Sequence, residues 1–355
     1  MKKILLGMSG GVDSSVTAIL LKEGNYEVYG ITMKLWDYSQ PNKLVNEKEI
    51  EKTKILAKKY SIPLKIVNIK EKFKTKVVNY FTNGYLEGIT PNPCIMCNPT
   101  IKWGDLWLTF NDNFDFFATG HYAKIKKNNG RFFISQALDK QKDQSYFLWK
   151  LNQEQLSKTL FPLGNMTKKQ IKEKALAEGL VSLSKQKESQ EICFLNGTEY
   201  RKFFDIFIPD KTKNIGNGDF VILKTGKIVG KHRGYYNYTI GQRKGLNIAL
   251  GEPMYVVKID VKNNIVYLGT NQELLSNVMF VNNINFQKYE DIKEGQTVNT
   301  KIRYRSPAYP SKIYKESKDT LRIEFTQPVR AITPGQSAVF YENEDLIGGG
   351  IIIQK

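Results

Sequence analysis

Cysteine and histidine are scarce in this chain, which has three and two of them among 355 residues. Three thiols, Cys94, Cys97 and Cys193, cannot build a disulfide framework, so chemical thiols and a reducing, cytoplasmic setting are expected. No apolar run approaches the ~18 residues of a membrane span, and the short apolar start after Met1-Lys2-Lys3 does not make a signal peptide. No membrane partner is expected. Acidic residues are also short. The 35 Asp and Glu face 53 Lys and Arg, a net charge of +18 spread over the chain and not gathered in a tail. Such an excess fits a polyanion wider than one domain, nucleic acid foremost, although a solvated lysine-rich surface reads the same way. With 41% apolar and 25% charged residues the composition is that of a folded protein. The chain has no internal repeat and no low-complexity segment.

What is present begins with Gly7-Met8-Ser9-Gly10-Gly11-Val12-Asp13-Ser14-Ser15, between an apolar run (residues 4–6) and a helix-like one (residues 16–21). A strand feeding a Gly-rich turn and then a helix is an anion trap. Glycines let the backbone approach a phosphate, and the unpaired N–H groups of the helix start point at it. The loop lacks the lysine that ends a Walker motif. That absence suggests chemistry at the α-phosphate of ATP, with pyrophosphate leaving. Asp13 would repel the phosphates unless a cation intervenes, so Mg²⁺ is an expected companion; Asp13 could equally cap the helix.

Residues 1–70 alternate strand (4–8, 28–35, 64–69) and helix (14–23, 45–60), and a further helix is expected over 72–86. Strands separated by helices imply a parallel sheet, with ligands at the carboxyl ends of its strands. Residues 90–99 hold three prolines and read as a rigid loop presenting Cys94-x-x-Cys97. A strand at 114–119 would deliver Gly120-His121-Tyr122 to the same edge. A hairpin is expected over 124–137 around Asn128-Asn129-Gly130, with helices at 153–160 and 168–178 and a polar stretch at 182–190. From about 207, short β-rich runs punctuated by Gly and Asn suggest two small β-barrels, the second beginning near 282.

The cysteines admit three readings. One thiol carries sulfur as a persulfide and another resolves it; or all three hold an iron–sulfur cluster; or they bind zinc with His121 or His232 as the fourth ligand. Inert burial fits Cys193 better than the proline-framed pair.

Ser9–Ser15 resembles the PP-loop of the ATP pyrophosphatases, and nearly the whole chain resembles one branch, the tRNA-specific 2-thiouridylases (MnmA). The matching blocks are 90–102, 118–122, 142–148, 192–194, 238–246, 303–305 and 333–340. The resemblance implies an α/β PP-loop catalytic domain (Rossmann-like, adenine nucleotide α-hydrolase-like) at 1–205, then two small β-barrel-like domains at 206–278 and 279–355, the last binding tRNA. It implies ATP-dependent adenylation of the C2 oxygen of the wobble uridine, followed by sulfur transfer with release of AMP. Gly7, Met8, Ser9, Gly10, Gly11, Val12, Asp13, Ser14, Met33 and Gly120 would hold ATP. Cys193 would carry the persulfide and Cys97 would be its partner. Asn92, Pro93 and Cys94 would face the base, and His121, Lys142, Asp143, Gln144, Arg303, Tyr304 and Gln336 would contact tRNA. A cysteine desulfurase or relay protein is the implied sulfur donor. The chain departs from the pattern at Cys94, where much of the family has an aspartate. Cys94, Cys97 and Cys193 as ligands of a four-iron, four-sulfur cluster thus remain a second scheme beside the persulfide relay. A small-molecule carbonyl as the target, or RNA binding over a degenerate nucleotide site, fits the intact loop and the thiols less well.

Overall fold

Five parallel strands form the first sheet, in the order β3-β2-β1-β4-β7. They are β1 (Lys3–Gly7), β2 (Glu27–Lys34), β3 (Leu64–Asn68), β4 (Phe116–Ala118) and β7 (Thr159–Leu160). The computed structural model describes residues 1–35, 46–185, 192–195, 199–248 and 251–354. Val45, residues 186–190 of the polar stretch and Glu191 lie outside the described residues. The strand order reverses between β1 and β4, so the loops leaving these two strands diverge and open a crevice at their carboxyl ends. Residues 8–11 and 119–122 form its two lips. Helix α1 (Val12–Glu23) follows β1, and helix α2 (Glu47–Lys59) buries Ile50, Leu56 and Ala57.

One expectation fails instructively. The proline-rich stretch is a loop only over residues 90–92: Pro93–Cys97 is a helix that continues as a π-helix over Asn98–Leu106. Asn92 caps it, its side chain accepting from the Cys94 N–H at 3.1 Å. Pro93 takes the first helical position, where its missing N–H costs nothing. Pro99 falls inside, where an α-helix would lose a hydrogen bond and clash with the carbonyl four residues back. The wider π turn coincides with that proline.

Downstream, β8 (Gly218–Ile222), β9 (Ile228–His232), β10 (Tyr255–Asp260) and β11 (Ile265–Gly269) form a four-stranded sheet ordered β10-β11-β8-β9. The last domain is a barrel of six antiparallel strands. These are β12 (Leu275–Phe286), β13 (Gln296–Lys301), β14 (Tyr309–Ser317), β15 (Thr320–Arg330), β16 (Ser337–Glu342) and β17 (Asp345–Ile353), closed by pairing of β12 with β17. Strand β12 runs unbroken through residues 278 and 279, and its partners are barrel strands throughout. Its polar Asn282-Asn283-Asn285 stretch hides it from a hydrophobic reading. Asn283 takes φ 51° at the irregularity where the β17 pairing shifts register.

The hairpin of β5 (Ala123–Asn128) and β6 (Arg131–Gln136) lies in the first domain by sequence but joins the barrel sheet, Ser135 pairing with Asp345. Fully buried Gln287 fastens the junction. Its amide donates to the carbonyls of Leu148, Trp149 and Leu151 at 2.9–3.2 Å and its oxygen accepts from Ile134 N–H at 3.1 Å. Trp149 packs so closely on β17 that a Cβ at Gly349 would come within 2.8 Å of the indole.

Candidate active site

The phosphate loop is built as a socket for an anion. Helix α1 starts after Gly11, which offers no side-chain cap, so the first-turn N–H groups have no side chain over them. Ser14 and Ser15 hydroxyls donate to Gly11 O at 3.1 and 2.8 Å, and Ser14 Oγ accepts from Ser9 N–H at 3.2 Å, fixing the turn. Gly10 has φ +75°, and a Cβ there would lie 2.3 Å from Glu49 O on α2. Met8 is buried and donates its N–H to Ile31 O, while Val12 packs beneath the loop with Tyr122 and Ile171. Gly120, one residue past Thr119 on the opposite lip, backs onto the helix start; a Cβ there would meet Asp13 C and Ser14 N at 3.0 Å. Met33 is the last residue but one of β2, on the same sheet edge, with its carbonyl accepting from Asn46 Nδ2 at 2.6 Å. The ten residues expected at ATP therefore share one edge.

The cation beside Asp13 is the protein's own. Lys168 Nζ donates to both carboxylate oxygens, at 2.7 and 2.9 Å, and Tyr122 OH donates to one of them at 2.6 Å. Lys168 is the first residue of helix Lys168–Ala177, capped by Thr167, and only 9% of its side chain is exposed. Both oxygens being engaged, Asp13 does not offer a ready Mg²⁺ ligand. Sequence placed Tyr122 at this edge, within Gly120-His121-Tyr122, but did not single out Lys168; 155 residues separate Lys168 from its partner, and only the packing of the two helices reveals the pair. Replacing Lys168 with methionine strands a carboxylate one-third exposed, and is expected to cost about 1–3 kcal/mol of stability and to weaken ATP binding. Adding Asp13→Asn should recover most of both, which thermal melts and ATP titration of the single and double variants will show.

The thiols are near Lys102, whose charge acts on Cys94 and Cys97 and whose Nζ is 3.3 Å from His121 Nε2 on the lip opposite this loop. Cys94 and Cys97, three apart, share a face of their short helix. Cys193 arrives on a separate segment, pinned by buried Phe194, whose ring meets Phe81 and Phe203 at 5.4 and 5.5 Å. All three are free thiols; Cys94 and Cys193 reach solvent and Cys97 is half-buried. Protein nonetheless crowds each sulfur closely enough that burial governs its acidity. Burial pushes the Cys97 thiol up to about 11 against the opposing charge of Lys102, and raises Cys94 and, more strongly, Cys193. Cys193 is also raised by the other two, so the fold has gathered residues separated by most of a domain. Among the described residues, no three His, Cys, Asp or Glu side chains are arranged to hold a metal ion. His232 lies elsewhere, buried against Phe220 and Tyr238 in the four-stranded sheet. The zinc and cluster schemes thus find no ready ligand set here. His121 is beside the thiols: its Nε2 is 3.3 Å from Lys102 Nζ and its Nδ1 2.7 Å from Thr119 Oγ1. Burial, then Lys102, drive its pKa well below 6.5, so the ring is neutral and Nε2 accepts from the ammonium.

The remaining residues expected at tRNA are largely engaged inside the protein. Asp143 is buried, accepting from Ala137 N–H at 2.9 Å and Ser145 Oγ at 2.6 Å. Gln144 accepts from Tyr122 N–H at 3.0 Å, and Lys142 lies in the turn just before, its N–H donating to Asp139 O at 3.1 Å. Gln336 Nε2 donates to Thr90 O at 2.7 Å, while Thr90 N–H donates to Pro334 O at 2.8 Å, so a barrel turn grips the chain two residues before Asn92. Tyr304 packs on Phe147 at 4.4 Å. Arg303 Nη2 donates to Ile240 O at 3.0 Å, Ala331 O at 3.1 Å and the Thr333 hydroxyl, bridging the four-stranded sheet's domain and the barrel. Arg303→Ala is therefore expected to lower the melting stability by roughly 2 kcal/mol or more, with Arg303→Lys a poor substitute for a three-acceptor fork. The salt slope of tRNA binding, which falls by about one unit when a phosphate-contacting cation is lost, should change little.

Three consecutive family models cover the chain: tRNA methyl transferase HUP domain (residues 2–197), tRNA methyl transferase PRC-barrel domain (206–270) and aminomethyltransferase beta-barrel domain (276–352). A tRNA-specific 2-thiouridylase MnmA from Cytophaga hutchinsonii is 44% identical over 99% of this chain and 97% of its own. One from Acetivibrio thermocellus is 44% identical over 99% of each. The chain belongs to the tRNA-specific 2-thiouridylase family. The domain models carry a methyl-transfer label, whereas these full-length relatives carry the thiouridylase name. Among solved structures, the U34-tRNA thiolase NcsA from Methanococcus maripaludis, with its iron–sulfur cluster, aligns over 60% of this chain and 71% of its own. At 18% identity and a TM-score of 0.35, it does not bear on the cysteines of this chain.

Proposed function

We propose that the chain is an ATP-dependent tRNA-uridine 2-sulfurtransferase working through a persulfide relay. The observation that carries this reading is one crevice with a phosphate socket on one lip and three free thiols beyond the other. The uridine O2 attacks the α-phosphorus of ATP, the bond to the β-phosphate breaks, and pyrophosphate leaves with the electron pair as the N3 proton is lost. Pyrophosphate is left in the loop, and Mg²⁺ would enter on the ATP phosphates, Asp13 being engaged with Lys168. The terminal sulfur of a Cys193 persulfide then attacks C2, and the C2–O bond breaks to release AMP. The Cys97 thiolate attacks Cys193 Sγ, forming a Cys97–Cys193 disulfide and expelling the 2-thiouridine sulfur, which regains a proton on the base. A dithiol reductant restores the thiols, and a desulfurase or relay protein reloads Cys193. Asn92 and Pro93 set the helix that carries Cys94 to the base, where it replaces the family's aspartate. The cytoplasm is the compartment this thiol chemistry needs.

Expression in a bacterium lacking its own 2-thiouridylase is the direct test. Nucleoside mass spectrometry of its tRNA should show 2-thiouridine restored. Soluble, folded protein that restores none would refute the reading.

A further inference from the structure

Two lysines approach the lysine-free phosphate loop, and they differ in what they already hold. Lys168 is bound bidentately by Asp13. Lys102 is half-buried, donates to the neutral ring of His121 at 3.3 Å, and pairs with no carboxylate among the described residues. A crowded ammonium with only a neutral partner is an incomplete arrangement, and an anion would complete it.

Its place says which anion. Lys102 lies five residues beyond Cys97 on the π-helix Asn98–Leu106, whose i→i+5 bonding brings residues five apart onto one side. On its other flank, His121 follows Gly120, whose backbone abuts Asp13 and Ser14 at the start of α1. The ammonium therefore stands between the pyrophosphate socket and the thiols. In a substrate that spans these two, the group between them is the α-phosphate, joined to pyrophosphate before adenylation and to the base after it.

We infer that Lys102 is the α-phosphate-binding cation of this site, supplied from outside the loop and directed at a different phosphate from the β/γ pair that a Walker lysine reaches. His121, held by Thr119, is the positioning residue that keeps the ammonium aimed into the crevice. Lys102 binds the non-bridging oxygens of the adenylate and stays with AMP as it departs, countering the charge that builds as the C2–O bond breaks. This rests on the proposed adenylation, but its test does not need thiolation.

The test is calorimetric titration of the full chain with AMP and with adenosine, which differ only in the phosphate. The wild-type protein should bind AMP more tightly than adenosine. Lys102→Gln, which can still donate to His121, and Lys102→Met should each lose about tenfold or more in AMP affinity and keep their adenosine affinity. Lys102→Arg should retain most of the AMP preference. An unchanged AMP-to-adenosine ratio in Lys102→Gln would overturn the assignment, and so would equal loss of both ligands, which marks a structural role. Absence of 2-thiouridine in the complemented strain would instead count against the sulfurtransferase reading, whatever the AMP result.

Discussion

Gly10→Ala should remove ATP-dependent pyrophosphate release almost entirely and destabilise the fold measurably. The added methyl faces two penalties at once. At φ +75° an L-residue pays about 1–2 kcal/mol for the left-handed backbone, and the Cβ would lie 2.3 Å from Glu49 O and 3.0 Å from Glu49 C. Those atoms are backbone in α2, which cannot rotate aside as a side chain does. Either α2 retreats from the sheet, exposing Ile50 and Leu56, or the loop tips and its N–H groups lose their convergence. Geometry off by about 1 Å costs on the order of 100-fold in rate, so turnover should fall at least that far even where the protein still folds. A pyrophosphate-release assay with a thermal melt would check both, and wild-type values in the two would show the loop to be less constrained than its contacts require.

The second large effect concerns the thiols. Cys97→Ser and Cys193→Ser should each lower 2-thiouridine formation by at least about three orders of magnitude, removal of a nucleophile costing up to about 10⁶. Both should leave tRNA-stimulated pyrophosphate release in place, because adenylation uses the other lip. Cys94→Asp, which restores the family's common residue, should remain active. Loss of pyrophosphate release in the serine variants would couple the thiols to adenylation and break the two-step scheme. A pH dependence follows. With its pKa pushed up to about 11, Cys97 is almost wholly protonated near neutrality. Its alkylation rate should rise about tenfold per pH unit from 7 to 10, as the thiolate fraction does. A plateau near pH 8 would mean that Lys102 outweighs burial.

The phosphate loop was readable because its chemistry is contiguous: Gly10, Gly11, Asp13 and Ser14 sit within five positions at a strand–helix junction. The parallel sheet was equally legible from the alternation of apolar strands and amphipathic helices. What sequence hid was long-range or context-bound. Lys168 is an ordinary first-turn residue until its helix packs on α1. Pro93 opens the thiol helix at the position where its missing N–H costs nothing, and Pro99 falls in the wider π turn that follows, so the proline count in 90–99 misjudged the thiol segment. Strand β12 is peppered with asparagines because much of it lies on a barrel's outer face. Arg303 and Gln336 were expected at tRNA from the family resemblance alone; that they also bond Ile240, Ala331 and Thr90 across the joints between domains is long-range information that no local pattern carries.

The barrel turn that grips Thr90 has a consequence for how the enzyme is made. The residues that fix the approach to Asn92 and Cys94 are Pro334 and Gln336, near the opposite end of the chain. During synthesis the parallel sheet and its phosphate loop leave the ribosome long before this turn exists. A nascent chain can therefore acquire a nucleotide socket early, while the thiol helix lacks its final brace until the barrel has been translated. Activation of uridine and delivery of sulfur would then become coupled only once the barrel has folded against the first domain.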